Sequence, residues 1–546
     1  MSGPKGIDHL STPSTMVREV SPPESDATEN THLLGAERGR SRQKSWDSLS
    51  DLDGLPWWRK PSVYWLIVPY AIFALAFGGI IVPKMSLIVE LVATFMLVMS
   101  LVTGILSAII APKLGHMSDR YGRRRLMAVA SCGGLMGELV TILAATFPEV
   151  INYRWLILGA VFDGLGGSFT AGSILSQSYT SDCTPPSKRA VSIGYIHACL
   201  FTGLAFGPLL AAYFVKWTGT LISIFYVAFC CHIVFIFFVG FIIPESLSKR
   251  KQAVARGAWE REKQARGDGP KSWSSRARAS NPLLPIKILW LTGPGTTSRL
   301  RINLVALAIS DTIVMGTVMA VGSVLMLYGQ LMFKWGNFEV SNFLSIISLA
   351  RVFVLVVIFP TINYFGRIRP AARRERETGQ ATVERNSGAD RLDIWILRVA
   401  LVSDIIGCVG YILAGTGTLF AVSGMVTAMG GLGSATLQAV ITKHVPPERV
   451  GQILGAVGTL QALARVVGPV MFNGLYALTV GSFPQAIFVL LASLYGVAFI
   501  CSFVVKSGVF WKDVGEHDDT IGSIEPALDD TAGRELAAGE EQGLLR

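Results

Sequence analysis

Long apolar runs alternate with short polar blocks along most of the chain. Runs of membrane length lie at 62–83, 93–112, 126–147, 155–178, 191–214 and 221–243. Six more lie at 301–325, 340–365, 394–415, 418–441, 451–479 and 483–505. A hydrocarbon core takes about 20 apolar residues per helical crossing, so each run predicts one span. The pattern predicts an all-α membrane protein of twelve transmembrane helices in two six-helix halves, residues 57–244 and 300–506. A polar, basic loop at 245–299 separates them. Residues 1–56 are rich in Ser, Pro, Glu, Thr and Gly and read as a disordered tail. Residues 507–546 read as a second, acidic tail. Lys84 to Val92 leaves an unusually short connection between the first two spans, and it contains Glu90.

Composition agrees. Of 546 residues, 51% are hydrophobic and 16% charged, whereas a soluble protein carries about a quarter charged residues. The net charge of +10 sits in alternate loops. Arg123–Arg125, Lys188–Arg189, Lys249–Lys251, Arg367–Arg376 and Lys443 with Arg449 follow spans 2, 4, 6, 8 and 10. The loops after spans 7, 9 and 11 carry Lys334 as their basic residue. Those basic loops and both tails are therefore expected in the cytoplasm. Orientation in a bilayer accounts for the charge, and no nucleic-acid partner is expected. Trp57, Trp58, Arg59 and Lys60 read as an interfacial anchor. The seven cysteines form no C-x-x-C pair, and no N-glycosylation sequon occurs, so neither disulfides nor a structural metal are expected. No signal-peptide apolar core precedes the first span. Glu29–Leu34 and Glu540–Leu545 fit acidic dileucine signals. They suggest sorting adaptors, with a vacuolar or endosomal membrane as an alternative to the plasma membrane.

The two predicted halves resemble each other. Pro185-Pro186 and Pro446-Pro447 stand 261 residues apart, and so do Gly207-Pro208 and Gly468-Pro469. Asp119-Arg-Tyr-Gly-Arg after span 2 is echoed by Asn363-Tyr-Phe-Gly-Arg after span 8. A parallel internal repeat of this kind is a transporter signature.

Between spans 2 and 3 the chain reads Gly115-His-Met-Ser-Asp119-Arg120-Tyr-Gly122-Arg123-Arg124-Arg125. It resembles the signature of the major facilitator superfamily, G-x-x-x-D-R-x-G-R-R/K. The resemblance implies that this tight turn is a cytoplasmic latch. Asp119 would sit near the start of span 11, and Arg123 would reach an acid at the end of span 4, for which Asp182 is placed. Gly203-Leu-Ala-Phe-Gly207-Pro208 resembles the family signature on span 5. Leu55–Arg59, Ile243–Lys249, Pro282–Pro285 and Asp182–Pro186 resemble a fungal branch related to tetracycline-efflux-like and hippocampus-abundant-transcript-like carriers. In the family, spans 1, 4, 7 and 10 line the central cavity.

Interior chemistry narrows to ionisable groups, since an unpaired charge in hydrocarbon is costly. Glu138, Asp163, Asp311, Arg351, Asp404 and Arg465 lie near mid-span. Asp163 and Asp311 are the candidate substrate or proton-coupling groups, with Arg351 and Arg465 as possible partners of Asp311. Glu138 and Asp404 are expected to tie helices together. Gly164, Gly166 and Gly167 in span 4, and Gly430, Gly431 and Gly433 in span 10, allow close packing or sliding. Gly207-Pro208 and Gly468-Pro469 are candidate bending points. Proton-coupled drug exporters often carry an Arg in span 4, which this chain lacks. His197 and His232 lie on different spans with no acidic partner at ligand spacing.

The expected function is secondary active transport of a small organic solute by alternating access, proton-coupled and in the efflux direction, by a monomer without cofactors. No Walker loop, G-x-S-x-G or metal-ligand cluster points to an enzyme. The alternatives are a metal-chelate carrier on the same scaffold and a transport-dead membrane sensor.

Overall fold

The structure, a computed structural model, describes residues 55–86, 92–265, 284–290, 296–378, 384 and 386–511. The dileucine-like motifs, Glu90 and Pro282 lie outside these residues. The first six apolar runs become α1 (Tyr64–Ser86), α2 (Val92–Tyr121), α3 (Arg123–Thr146), α4 (Tyr153–Cys183), α5 (Pro186–Thr218) and α6 (Ser223–Ile242). A polar helix, α7 (Lys249–Ala265), follows. The remaining runs become α8 (Ser298–Phe333), α9 (Phe338–Glu377), α10 (Arg391–Leu413), α11 (Gly417–Lys443), α12 (Val450–Thr479) and α13 (Ala486–Val504). Among the described residues, 11 helices are long and apolar enough to cross a membrane. α1 supplies a shorter apolar stretch, Tyr64–Ile80.

Two boundaries differ from the sequence reading. The stretch from Gly115 to Tyr121 is the helical end of α2 rather than turn, and Gly122 alone separates α2 from α3. Gly122 has φ +96°, which a residue with a side chain adopts only with strain. The central polar segment also contains ordered structure: α7 and a short 3-10 helix at Leu284–Leu289. The first difference arises because a helix does not stop where its hydrophobicity does. It continues until its backbone is capped.

The helices pack with large apolar side chains on the outside. Trp217, Phe241 and Leu478 are among the most exposed, as expected where the solvent is lipid. The first six helices meet the last six along two seams: α2 against α12, and α5 against α9 and α11. Small residues set the spacing. A methyl group on Gly115 would lie 2.6 Å from the Gly451 carbonyl oxygen, so α2 and α12 touch backbone to backbone. Gly203 and Gly207 do the same for α1 against α5, with a methyl on Gly207 reaching 2.6 Å from the Gly79 nitrogen. Pro208 and Pro469 lie inside α5 and α12.

Two helices are interrupted. α4 consists of Leu156–Leu165 and Ser168–Cys183, broken where Gly167 takes φ +80° and Ser168 φ +50°. α11 consists of Gly417–Thr427 and Gly430–Lys443. The glycines of span 4 therefore mark a break in the helix as well as a packing surface, and those of span 10 adjoin one.

Filling the α1–α5 contact tests the packing. Gly203→Val forces a branched side chain against the Ala74 backbone and should cost about 1–3 kcal/mol. Gly474→Ala adds a methyl with nothing within 4 Å and should stay within about 0.5 kcal/mol of the parent. Thermal unfolding of the purified protein in detergent reads both. Equal midpoints would mean the glycine seam is not what holds α1 to α5.

Candidate functional site

At the junction of α2 and α3, the three arginines following Gly122 make a helix N-terminus rich in positive charge. Glu245 covers it. Its carboxylate accepts from the Arg123 N–H at 2.8 Å and the Arg124 N–H at 3.2 Å. Burial pushes the Glu245 carboxyl up, against the Arg123 and Leu247 backbone N–H groups that pull it down. The Arg124 guanidinium donates to the Ile243 carbonyl at 3.2 Å.

Arg123 has no solvent exposure. Its Nη1 lies 2.6 Å from Asp119 Oδ1, and its Nε donates to Asp182 Oδ2 at 3.0 Å. Nη1 also donates to Ser118 Oγ, and Ser246 Oγ donates to Asp182 Oδ2 at 3.0 Å. The Gly451 N–H, in the first turn of α12, donates to Asp119 Oδ1 at 3.2 Å. The arrangement joins α2, α3, the end of α4 and the positive end of the α12 dipole. Arg120 stacks on Trp259 of α7, 4.5 Å from the ring centroid.

A second cluster surrounds the Arg123 counterpart after span 8. Arg367 Nη2 lies 2.7 Å from Asp393 Oδ1 and 3.0 Å from Asp390 Oδ2. Lys443 Nζ lies 2.6 Å from Asp393 Oδ2. Arg367 Nη1 donates to the Ser187 carbonyl on α5 at 3.0 Å, so this cluster also crosses between the first six and last six helices.

The mid-span charges divide into separate settings. Asp311 is fully buried and accepts from Gln461 Nε2 at 2.6 Å. Buried Gln438 lies beside it, its side-chain amide interacting with Asp311 and with His197. The pairing considered for Asp311 is thus corrected: its hydrogen bond goes to an amide. Arg351 lies over Phe201 at 5.0 Å and in the field of Asp404, while Arg465 donates to Thr170 Oγ1 at 3.0 Å. Asp163 is half-buried at the α4 break and accepts from Ser168 Oγ at 2.8 Å. Asp404 fills the space that Gly430 leaves empty. The reading of His232 is corrected as well. It does have an acidic neighbour across helices, since its Nδ1 lies 3.2 Å from Glu138 Oε1. Among the described residues, no group of three or more His, Cys, Asp or Glu is placed to hold a metal ion.

Sequence reasoning brought Asp119, Arg123 and Asp182 to one place. It missed Ser118, Ser246, Gly451 and Trp259 as neighbours of that cluster, and Gln438 and Gln461 as neighbours of Asp311. Glu245 stood within a quoted phrase without a role. Its position just past a span, opposite an uncapped Arg-rich helix start, was the available signal.

The model of the Major Facilitator Superfamily matches residues 62–373 and 389–530. The MFS-type transporter avaJ of Aspergillus versicolor is 26% identical over 84% of this chain and 91% of its own length. The class H tetracycline resistance protein of Pasteurella multocida is 21% identical over 73% of this chain and 83% of its own. Among solved structures, the human organic anion transporter MFSD10 (TETRAN) aligns with TM-score 0.61 at 16% identity, over 82% of this chain and 100% of that one. The proton:xylose symporter XylE aligns with TM-score 0.56 at 14% identity, over 82% and 97%.

Arg123→Ala would leave Asp119 and Asp182 buried without their shared cation, and should lower stability by about 3–5 kcal/mol. Arg123→Lys should recover only part of it, because an ammonium lacks the planar fork that serves two carboxylates. Unfolding in detergent measures both, and parental stability in the Ala variant would rule the bridge out as a structural tie.

Proposed function

The chain belongs to the major facilitator superfamily, and from that premise we propose that it is a proton-coupled secondary carrier exporting a small organic solute. It is a multi-pass membrane protein, and transport is the activity of its family. In the proposed architecture, α1 counts as the twelfth span and the crossings form two six-helix halves, 57–244 and 300–506. Both tails, the 245–299 segment and the Asp119 end face the cytoplasm, in the plasma membrane or a vacuolar or endosomal one. The carrier works as a monomer, without catalysis and without nucleic acid.

One observation carries the reading. Asp311 is buried where α8 meets α11 and α12, and the neighbours that act on its carboxylate are the neutral amides of Gln461 and Gln438. A buried carboxylate without a cation costs free energy unless something mobile neutralises it. A solute or a proton is such a partner, and Asp311 and Asp163 are the groups proposed to receive it. Arg351 and Arg465 set the field around them.

Alternating access then needs a latch. The cluster of Gly115, Asp119, Arg120, Gly122, Arg123, Arg124 and Asp182 holds α2 to α12 and is proposed to keep the cytoplasmic end closed. Gly207-Pro208 and Gly468-Pro469 are proposed as the points where α5 and α12 flex as the halves rock. The export direction leans on the tetracycline resistance relatives.

The test is flux in proteoliposomes over a panel of organic solutes that includes tetracycline, with and without an imposed pH gradient. Gradient-driven flux of at least one solute is expected. Asp119→Asn should remain folded and lose about tenfold in rate, since ~1.4 kcal/mol of differential stabilisation between conformations is a factor of ten. Flux that ignores the gradient would reject proton coupling, and an unchanged Asp119→Asn rate would reject the latch.

A further inference from the structure

We propose that Glu138 and His232, acting with Asp163, hold the coupling proton at a site built from α3, α6 and α4, apart from the Asp311 cluster. The inference rests on the proton-coupled carrier reading and adds to it the residues that take the proton.

The geometry is the argument. His232 is 4% exposed, and its Nδ1 lies 3.2 Å from Glu138 Oε1. The pair is at ion-pair distance, and neither His232 Nδ1 nor the other Glu138 oxygen makes a hydrogen bond. Gly134 sits between this pair and Asp163. A methyl placed on Gly134 would lie 3.0 Å from His232 Cε1 and 3.7 Å from Asp163 Oδ1. The absent side chain lets the imidazole and the carboxylate approach one another across the Gly134 position. Aromatic rings close the site on the α1 side. Phe73 meets the His232 ring edge-on at 5.0 Å, and Phe235 packs on Phe73 at 5.1 Å.

Charge counting shows why a proton belongs there. Two carboxyl groups and one imidazole in apolar surroundings carry a net negative charge while a single proton is shared, and a second proton makes them neutral. The other titratable or charged neighbours are Cys231 on α6, Tyr70 on α1 and Arg465 on α12. Cys231 interacts with Glu138, and Tyr70 is occupied by the Gly172 carbonyl and Ser176. Arg465 interacts with Asp163 and donates to Thr170 Oγ1 beside the α4 break. It reaches Asp163 from the proposed opposite half. While the halves touch here, Arg465 offsets the Asp163 charge. When they part, Asp163 loses that cation, and a proton from the Glu138–His232 pair takes its place. Proton transfer from the pair to Asp163 is thereby tied to the motion, with no bond formed or broken except to the proton.

The test needs no solute. Infrared difference spectra of the full chain in lipid bilayers are taken between about pH 8.5 and about pH 5.5. Among the carboxylic-acid C=O bands that grow on acidification, one component should be lost in Glu138→Gln while the component of the Asp311 cluster remains. In His232→Gln the Glu138 band should move in frequency, because its partner is gone. Each substitution is read separately, so failure of one variant to fold leaves the other decisive. Wild-type and Glu138→Gln spectra that coincide in the carboxylic-acid region would overturn the site. A band that ignores His232→Gln would overturn the pairing. Gradient-driven flux with coincident spectra strikes this site alone, whereas gradient-insensitive flux strikes the carrier reading, so the two failures are distinguishable.

Discussion

A guanidinium with no exposure to solvent dictates how the Asp119 end is built. Arg123 remains charged at any pH the protein meets, and burying it uncompensated costs several kcal/mol. Two carboxylates and a hydroxyl must therefore converge on it, and they come from Ser118, Asp119 and Asp182. Asp119 must then lie where a further donor can reach it, and the Gly451 N–H does so. That last bond reaches α12 only because Gly115 lets the two backbones touch. Charge satisfaction and glycine packing are thus one constraint seen from two sides. Remove the small residues, and the acid cannot reach the helix start.

The Arg367 cluster meets the same demand with different parts. Its arginine belongs to the same Gly-Arg dipeptide, yet Asn363 stands four residues before it where Asp119 stands before Arg123. The missing acid is made up from α10, where Asp390 and Asp393 form a capping box and both face Arg367. The extra negative charge is balanced by Lys443 at the end of α11. Two clusters at equivalent places therefore hold their charge through different helices. One reaches across to the Gly451 N–H and the other to the Ser187 carbonyl. A donor and an acceptor of the backbone are used in turn, which keeps either junction from depending on a long and mobile side chain from the far side.

Much of the fold was legible because crossing a bilayer requires long apolar runs, and each run coincides with one helix, though α2, α8 and α9 continue well past the end of theirs. The Asp119 site was legible for a related reason. Charges crowded beside lipid have few places to go, and the resemblance supplied their partners. What stayed hidden was whatever depends on three-dimensional neighbours. Nothing in the sequence says that Gln461 would face Asp311, or that His232 on α6 would lie against Glu138 on α3. Residues far apart in sequence meet only once helix rotation is fixed, and the sequence pattern constrains rotation weakly when almost every face is apolar. Pro-Pro and Gly-Pro spacing suggested an internal repeat, yet it gave no hint that α4 breaks at Gly167.

The interior acids differ in how their charge is offset, and that difference bears on coupling. Asp404 has its cation, Arg351, within the last six helices. Asp311 is held by the neutral amide of Gln461, again within them. Asp163 belongs to the first six helices, and the arginine that acts on it belongs to the last six. A rigid movement of one set against the other leaves the first two environments intact and changes the third. Conformational energy becomes dependent on protonation only where motion alters the charge balance. Of the three carboxylates, Asp163 is the one whose electrostatic partner lies across the contact between the first six and last six helices, which is why the proposed proton site is placed beside it.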